Sequence, residues 1–168
     1  MMKRSWIGAI SMVTVLVVIV LMFPNVLDKT ETSIVQIRPL DEKVKTAVEM
    51  IESGSGNPME AIFALREVVD VDSNHRDAQF HLGQFSVMSG QFDKAISRFI
   101  KVLKIDPSDV SAIEALAKTK FQMGDIQGAI VDLKYFLDSY PSTSRASELK
   151  TMMLSFQGES QSEVYKVQ

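Results

Sequence analysis

The chain of 168 residues has no cysteine, two histidines and one tryptophan. Without cysteine there is no disulfide framework, no thiolate metal site, no cysteine nucleophile and no lipidated N-terminal cysteine. The two histidines, His75 and His81, stand six residues apart, a spacing that cannot bring both rings to one metal on a regular helix. Basic excess is also lacking: the net charge is -3, which argues against nucleic acid as a partner. No phosphate-cradling glycine loop and no G-x-S-x-G nucleophile turn is present, and Gly54-Ser55-Gly56 reads as a plain loop. The acidic side chains fall on faces expected to be wet, with no apolar pocket to raise a carboxyl for acid catalysis. The expectation is a non-enzymatic protein without cofactor or metal.

What the chain does have is apolar residues, and they are unevenly placed. Mean hydropathy is +0.08, high for an acidic soluble domain. The 23 residues from Ser5 to Leu27 carry no charge; Lys3 and Arg4 precede them and all 21 acidic residues follow. At 1.5 Å per residue the stretch Ser5 to Phe23 reaches roughly 28 Å, close to the hydrocarbon thickness of a bilayer. It is longer than a secretory h-region, and Phe23-Pro24-Asn25-Val26-Leu27 offers no small-x-small cleavage pattern. An uncleaved transmembrane signal anchor over 5–27 is therefore expected over a removable peptide. Lys3 and Arg4 favour the N-terminus inside, which places a single-pass protein's remaining domain outside the cytoplasm, in a periplasm if there is one. Residues 28–40, polar apart from Ile34, Val35 and Ile37, read as a linker.

Beyond the linker the chain repeats itself. Gly56, Gly90 and Gly124 are spaced by 34 residues, as are Ala61, Ala95 and Ala129, each followed by isoleucine. Leu65, Phe99 and Leu133 keep the interval, and so do Val69, Leu103 and Leu137. Blocks 42–75, 76–109 and 110–143 align without a gap, and a period of this length is the mark of stacked supersecondary units. Within each block apolar residues recur at three- and four-residue steps on either side of the glycine, which predicts two helices. Glycine suits the left-handed residue that ends the first helix, and Pro107 and Pro141 cannot continue the second. Asn57 is placed to cap a helix with Pro58 in its first turn. Ala146, Leu149, Met152, Met153 and Phe156 predict a closing helix over 144–157, followed by a polar tail, 158–168. The predicted fold is all-α: a transmembrane helix, three helical hairpins over 41–143, and a cap.

These residues resemble the tetratricopeptide repeat family. The second block matches its pattern with Leu82-Gly83, Gly90, Ala95, Phe99 and Pro107; the third does so with Leu116-Ala117, Gly124, Ala129, Leu133 and Pro141. The first block departs from it, with Val48-Glu49 for the leading pair, Pro58 where Phe92 stands and Ser73 for the closing proline. The resemblance implies a solenoid whose first helices line a concave surface for an extended peptide or a partner helix. Projected onto it, the candidate groove residues are Met50, Phe80, His81, Gln84, Met88, Glu114, Lys118 and Phe121, of which Met50 and Phe80 could equally serve packing. The Lys/Asn/Lys/Arg clamp by which some relatives grip a C-terminal carboxylate is absent, since Thr46, Met50, His81, Ser111 and Ala115 take its places. An amphipathic segment held by apolar contact and backbone hydrogen bonds suits this surface better.

One charge pattern competes for attention. Lys94, Arg98, Lys101 and Lys104 form a basic stripe on the second helix of the middle block, a candidate phosphate or headgroup site. The equivalent residues are Glu60, Ala64, Glu67 and Asp70 in the first block and Gly128, Asp132, Tyr135 and Asp138 in the third, so charge pairing between neighbouring second helices is the expected use. The expected role is a membrane-anchored scaffold that binds a protein or peptide and helps assemble an envelope complex. Self-association, or an accessory place in cytochrome maturation or protein translocation machinery, is the alternative.

Overall fold

In the computed structural model, residues 39–54 and 56–166 are described, and they form seven helices. Helix α1 covers 39–52 and α2 Pro58–Val71. They are followed by α3 Arg76–Met88 and α4 Phe92–Ile105, then α5 Val110–Met123 and α6 Ile126–Ser139. Helix α7, Ala146–Lys166, closes the series. Packing divides the chain into Met1–Glu42 and Lys43–Gln168; α2 to α7 and all of α1 after residue 42 lie in the second. Among the described residues no helix is long and apolar enough to cross a membrane. The expected anchor, 5–27, and the linker as far as residue 38 lie outside the described residues; Pro39 and Leu40 already belong to the first turn of α1.

The second helices begin at Pro58, Phe92 and Ile126, so the period seen in the sequence is the period of the hairpins. Local chemistry starts four of these helices, α2, α3, α5 and α6; Gln91, before α4, makes no side-chain cap. The Asn57 side chain accepts from the Met59 N–H with Pro58 in the first turn of α2. His75 accepts from Ala78 at the start of α3, Asp109 from Ala112 at the start of α5, and Asp125 from Gly128 at the start of α6. Each such cap satisfies a backbone donor that the helix itself cannot, worth about 1 kcal/mol. The first helices of the second and third hairpins end in matching turns. Gly90 and Gly124 adopt φ of 70° and 90°, and the next residues, Gln91 and Asp125, donate back to Ser86 and Lys120, which closes the helix end.

The first hairpin breaks this rule. Its left-handed residue is Gly54, with φ of 60°, and not Gly56, the residue in register with Gly90. Gly56 serves packing instead, because a Cβ there would stand 2.9 Å from Met50 Cε.

The conserved interval fills the core. Ala61, Ala95 and Ala129 are fully buried, as are Leu65, Phe99 and Leu133 in the next column. Each large side chain of that column stabilises the stack by roughly 1.5–3 kcal/mol. Ile96, Leu103 and Leu137 are half-buried against it. Gly83 sits where α3 crosses α4: a Cβ at this position would lie 2.6 Å from the Phe99 ring. In the third hairpin the equivalent pair is Ala117 with the smaller Leu133. The closing helix buries Leu149 and Phe156 but does not end at 157. It continues through Gly158 to Lys166, and the predicted tail is helical over most of its length. Anchored by Leu149 and Phe156 and tied to α6 by the Gln127–Ser160 hydrogen bond of 2.9 Å, the helix absorbs one glycine at a cost of about 1 kcal/mol.

Candidate functional site

The first helices α3 and α5 touch one another, whereas clefts open between the second helices. One cleft, of about 160 Å³, is lined from α2, α3 and α4; another, of about 330 Å³, is lined from α4, α5 and α6. The eight candidate groove residues border neither, because they lie on α1, α3 and α5 along the first helices.

On α3 the exposed part of this surface is built by His81, Gln84 and Met88. His81 Nδ1 and Gln84 Oε1 are 3.0 Å apart, one helical turn along the same face. Met88, at the C-terminal end, is 77% exposed, an apolar side chain that nothing among the described residues covers. Phe80 turns to the core: its ring meets Phe99 at 5.7 Å and carries the Arg76 guanidinium 4.8 Å from its centroid. Met50 lies against the Gly56 turn. Both residues serve packing, the second of the two uses open to them.

On α5 the surface is polar and internally paired. Glu114 receives Lys118 Nζ at 2.6 Å and Arg145 Nη2 at 2.7 Å. Burial raises its carboxyl, but the hydrogen bonds and charges of Lys118 and Arg145 outweigh that and hold it below the usual glutamate range. Phe121 is half-buried and stacks on Phe156 of α7 with centroids 4.2 Å apart and planes at 14°. One face of its ring is thus already used to seat the closing helix. The structure therefore brings His81, Gln84 and Met88 together on α3 and Glu114 with Lys118 on α5.

Two residues of this surface were not picked out from the sequence. Arg76, at the first position of α3, reaches Asp109 in the next hairpin (Nε to Oδ2, 2.6 Å) and Asp77 beside it (2.7 Å). Burial lowers its pKa, and the two carboxylates more than reverse this, so the net direction is upward. Arg145 lies beyond the last 34-residue block, so the period gave no reason to place it beside Glu114. The Arg76–Asp109 pair has a sequence signal, since a base at the start of one block and an acid at the end of it face each other once hairpins stack.

The expected pairing between second helices is not observed. Among the described residues the ion pairs between helices are Lys43–Glu67, Arg76–Asp109, Lys120–Asp132 and Arg145–Glu114, and none joins α2 to α4 or α4 to α6. Arg98 donates to the Gln79 amide oxygen and Lys94 to that of Gln91.

Residues 54–118 match the tetratricopeptide repeat family. Solved structures share the fold. The type III secretion translocator chaperone SycD of Yersinia enterocolitica is 16% identical, with a TM-score of 0.63 over 73% of this chain and 86% of its own. SycD in complex with a peptide of the translocator YopD superposes at 0.61, with 19% identity over 71% and 89%. The O-GlcNAc transferase of Thermobaculum terrenum gives 0.53, with 20% identity over 64% of this chain and 20% of that one. Curated proteins give no match.

Proposed function

Because the chain is a tetratricopeptide helical-repeat protein, we propose that it is a membrane-anchored, non-catalytic scaffold whose first-helix surface holds a segment of a protein partner. The observation that carries this reading is the α3 face, where Met88 stands uncovered at the end of a row begun by His81 and Gln84. An apolar anchor beside amide and imidazole groups suits an amphipathic helix or an extended peptide. Support by likeness comes from SycD, which takes a peptide of YopD on the same fold. The uncharged stretch Ser5 to Leu27 supports the anchor, and Lys3 and Arg4 support an extracytoplasmic domain. An envelope complex is the setting that agrees with both.

Two measurements test it. The full chain should stay with the membrane pellet after alkaline carbonate extraction; release into the supernatant would remove the anchor. Gln84→Ala combined with Met88→Ala should reduce recovery of the crosslinked partner from intact cells by about tenfold, as expected when an interface anchor is truncated, with an unchanged helical signal. Equal recovery would remove the groove. A product of twice the chain's mass, lost in the same variant, would replace the partner by a second copy.

A further inference from the structure

The two clefts between second helices occupy equivalent places, one repeat apart, and their chemistry differs. In the α4/α6 cleft Lys120 lies 2.6 Å from Asp132, so this pair is neutralised and Lys104 is the one further charge lining the cleft among the described residues. One repeat earlier Ser86 takes the place of Lys120, Arg98 that of Asp132, and Arg66 that of Ile100. The α2/α4 cleft is lined by Arg66, Lys94 and Arg98, with Ser86, Ser89 and Gln91 and the apolar walls of Met59, Ile62, Leu82 and Phe85. Among the described residues no carboxylate lines it. The acids of the surrounding helices are Glu60, Glu67 and Asp70 on α2, Asp77 on α3 and Asp93 on α4. Glu67 is held by Lys43 and Asp77 by Arg76, and none of the five bonds to Arg66, Lys94 or Arg98 among the described residues.

We propose that the α2/α4 cleft is a binding site for a phosphate group, held by Arg66, Lys94 and Arg98. Three cations gathered in an otherwise acidic domain repel one another, and the strain shows at Arg98: burial first, then the charge of Arg66, lowers its pKa, though a guanidinium stays protonated at neutral pH. A dianion relieves this better than a single carboxylate, since a phosphate monoester carries about -1.5 to -2 charges at pH 7. The donors are available. Among the described residues Lys94 has an amide oxygen as its partner, Arg98 uses one N–H on Gln79, and Arg66 rests against the Phe63 ring. Ser86 and Ser89 already donate to Leu82 and Phe85 carbonyls, so the cations carry the recognition. Size narrows the ligand further. At about 160 Å³ the cleft is well below the roughly 300–1,000 Å³ of a site for a drug-sized molecule, so it takes the phosphate and leaves the rest of the ligand outside. The phosphate could be that of a soluble monoester or of a lipid headgroup.

The test follows the arginine side-chain N–H resonances of the full chain in neutral detergent micelles by nuclear magnetic resonance. Inorganic phosphate should shift the Arg66 and Arg98 signals saturably, and chloride at matched ionic strength should not. Arg66→Gln, at an exposed position, should weaken binding by about tenfold or more, the loss expected for a charged hydrogen bond, with an unchanged melting temperature. Nanodiscs of phosphatidylcholine with and without phosphatidic acid separate the sources. A response to both free phosphate and phosphatidic acid, or to phosphatidic acid alone, supports the site and, in the second case, assigns it to a headgroup. Linear or chloride-like shifts with free phosphate and phosphatidic acid alike, or a response that survives Arg66→Gln, overturn it.

Discussion

The clefts flanking α4 show how one repeat unit can be turned to different ends. Both are floored by a first helix and walled by two second helices. In the later cleft Lys120 and Asp132 close on each other across the α5/α6 hairpin, and Lys104 is the one charge left over among the described lining residues. In the earlier cleft Arg66, Ser86 and Arg98 stand where the later one has Ile100, Lys120 and Asp132, Lys94 joins them, and the charge is left for something else to balance. The backbone geometry is shared, so the difference lies wholly in side chains. An ion pair inside one hairpin stabilises it and uses its charges up, whereas like charges from two helices weaken the stack slightly and keep a site open.

The floor helices offer the sharpest way to break the comparison. Gly83→Leu should drive a side chain into Phe99, where even a Cβ stands 2.6 Å away, and cost about 3 kcal/mol. Ala117→Leu, opposite the smaller Leu133, should cost less. Denaturant midpoints of the two variants measure this, and equal losses would mean that glycine is not required by the ring. Next in size is the ion pair of the later cleft. Asp132→Ala leaves Lys120, 18% exposed, without its partner and should cost about 1–2 kcal/mol, reduced from the fully buried case by solvent. If thermal melting does not move, the cleft is not neutralised by this pair.

The smallest effect concerns pH. Glu114 is held below its ordinary value near 4.5, so its protonation is resisted more by the folded chain than by the unfolded one. Its contribution is complete above that ordinary value and is lost as pH falls through the lowered one. Stability of the wild type should therefore fall more steeply than that of Glu114→Gln as pH drops from about 5 to 3, bringing the two curves together. Parallel curves would place the low-pH loss elsewhere, for instance at Asp106, which the Ser108 hydroxyl also holds below the usual range.

The hairpins were legible because a period of 34 repeats the same packing problem, and Ala61, Ala95 and Ala129 solve it in the same way each time. The cap at Asn57 was readable for a local reason, since the helix it starts is adjacent in the chain. Features that depend on which surfaces meet in space were less accessible. Arg145 and Phe156 stand beyond the last full repeat, so no period set them beside Glu114 and Phe121. The basic stripe was aligned correctly with its acidic neighbours, yet alignment does not say which partner a side chain takes: Arg98 turns to Gln79 of α3 and Lys94 to Gln91. In the first hairpin the glycine in register, Gly56, passed the left-handed turn to Gly54, two residues earlier, because Met50 fills the space beside it.

The claim that the first-helix surface is the recognition face can be tested with a photoactivated crosslinking residue placed at one exposed site on each side. Met88 on α3 and Val131 on α6 are 77% and 62% exposed, so neither substitution should disturb the core. The account predicts that light in intact cells yields a discrete crosslinked protein from position 88 and none from position 131. The same product from both positions, or from 131 alone, would contradict it.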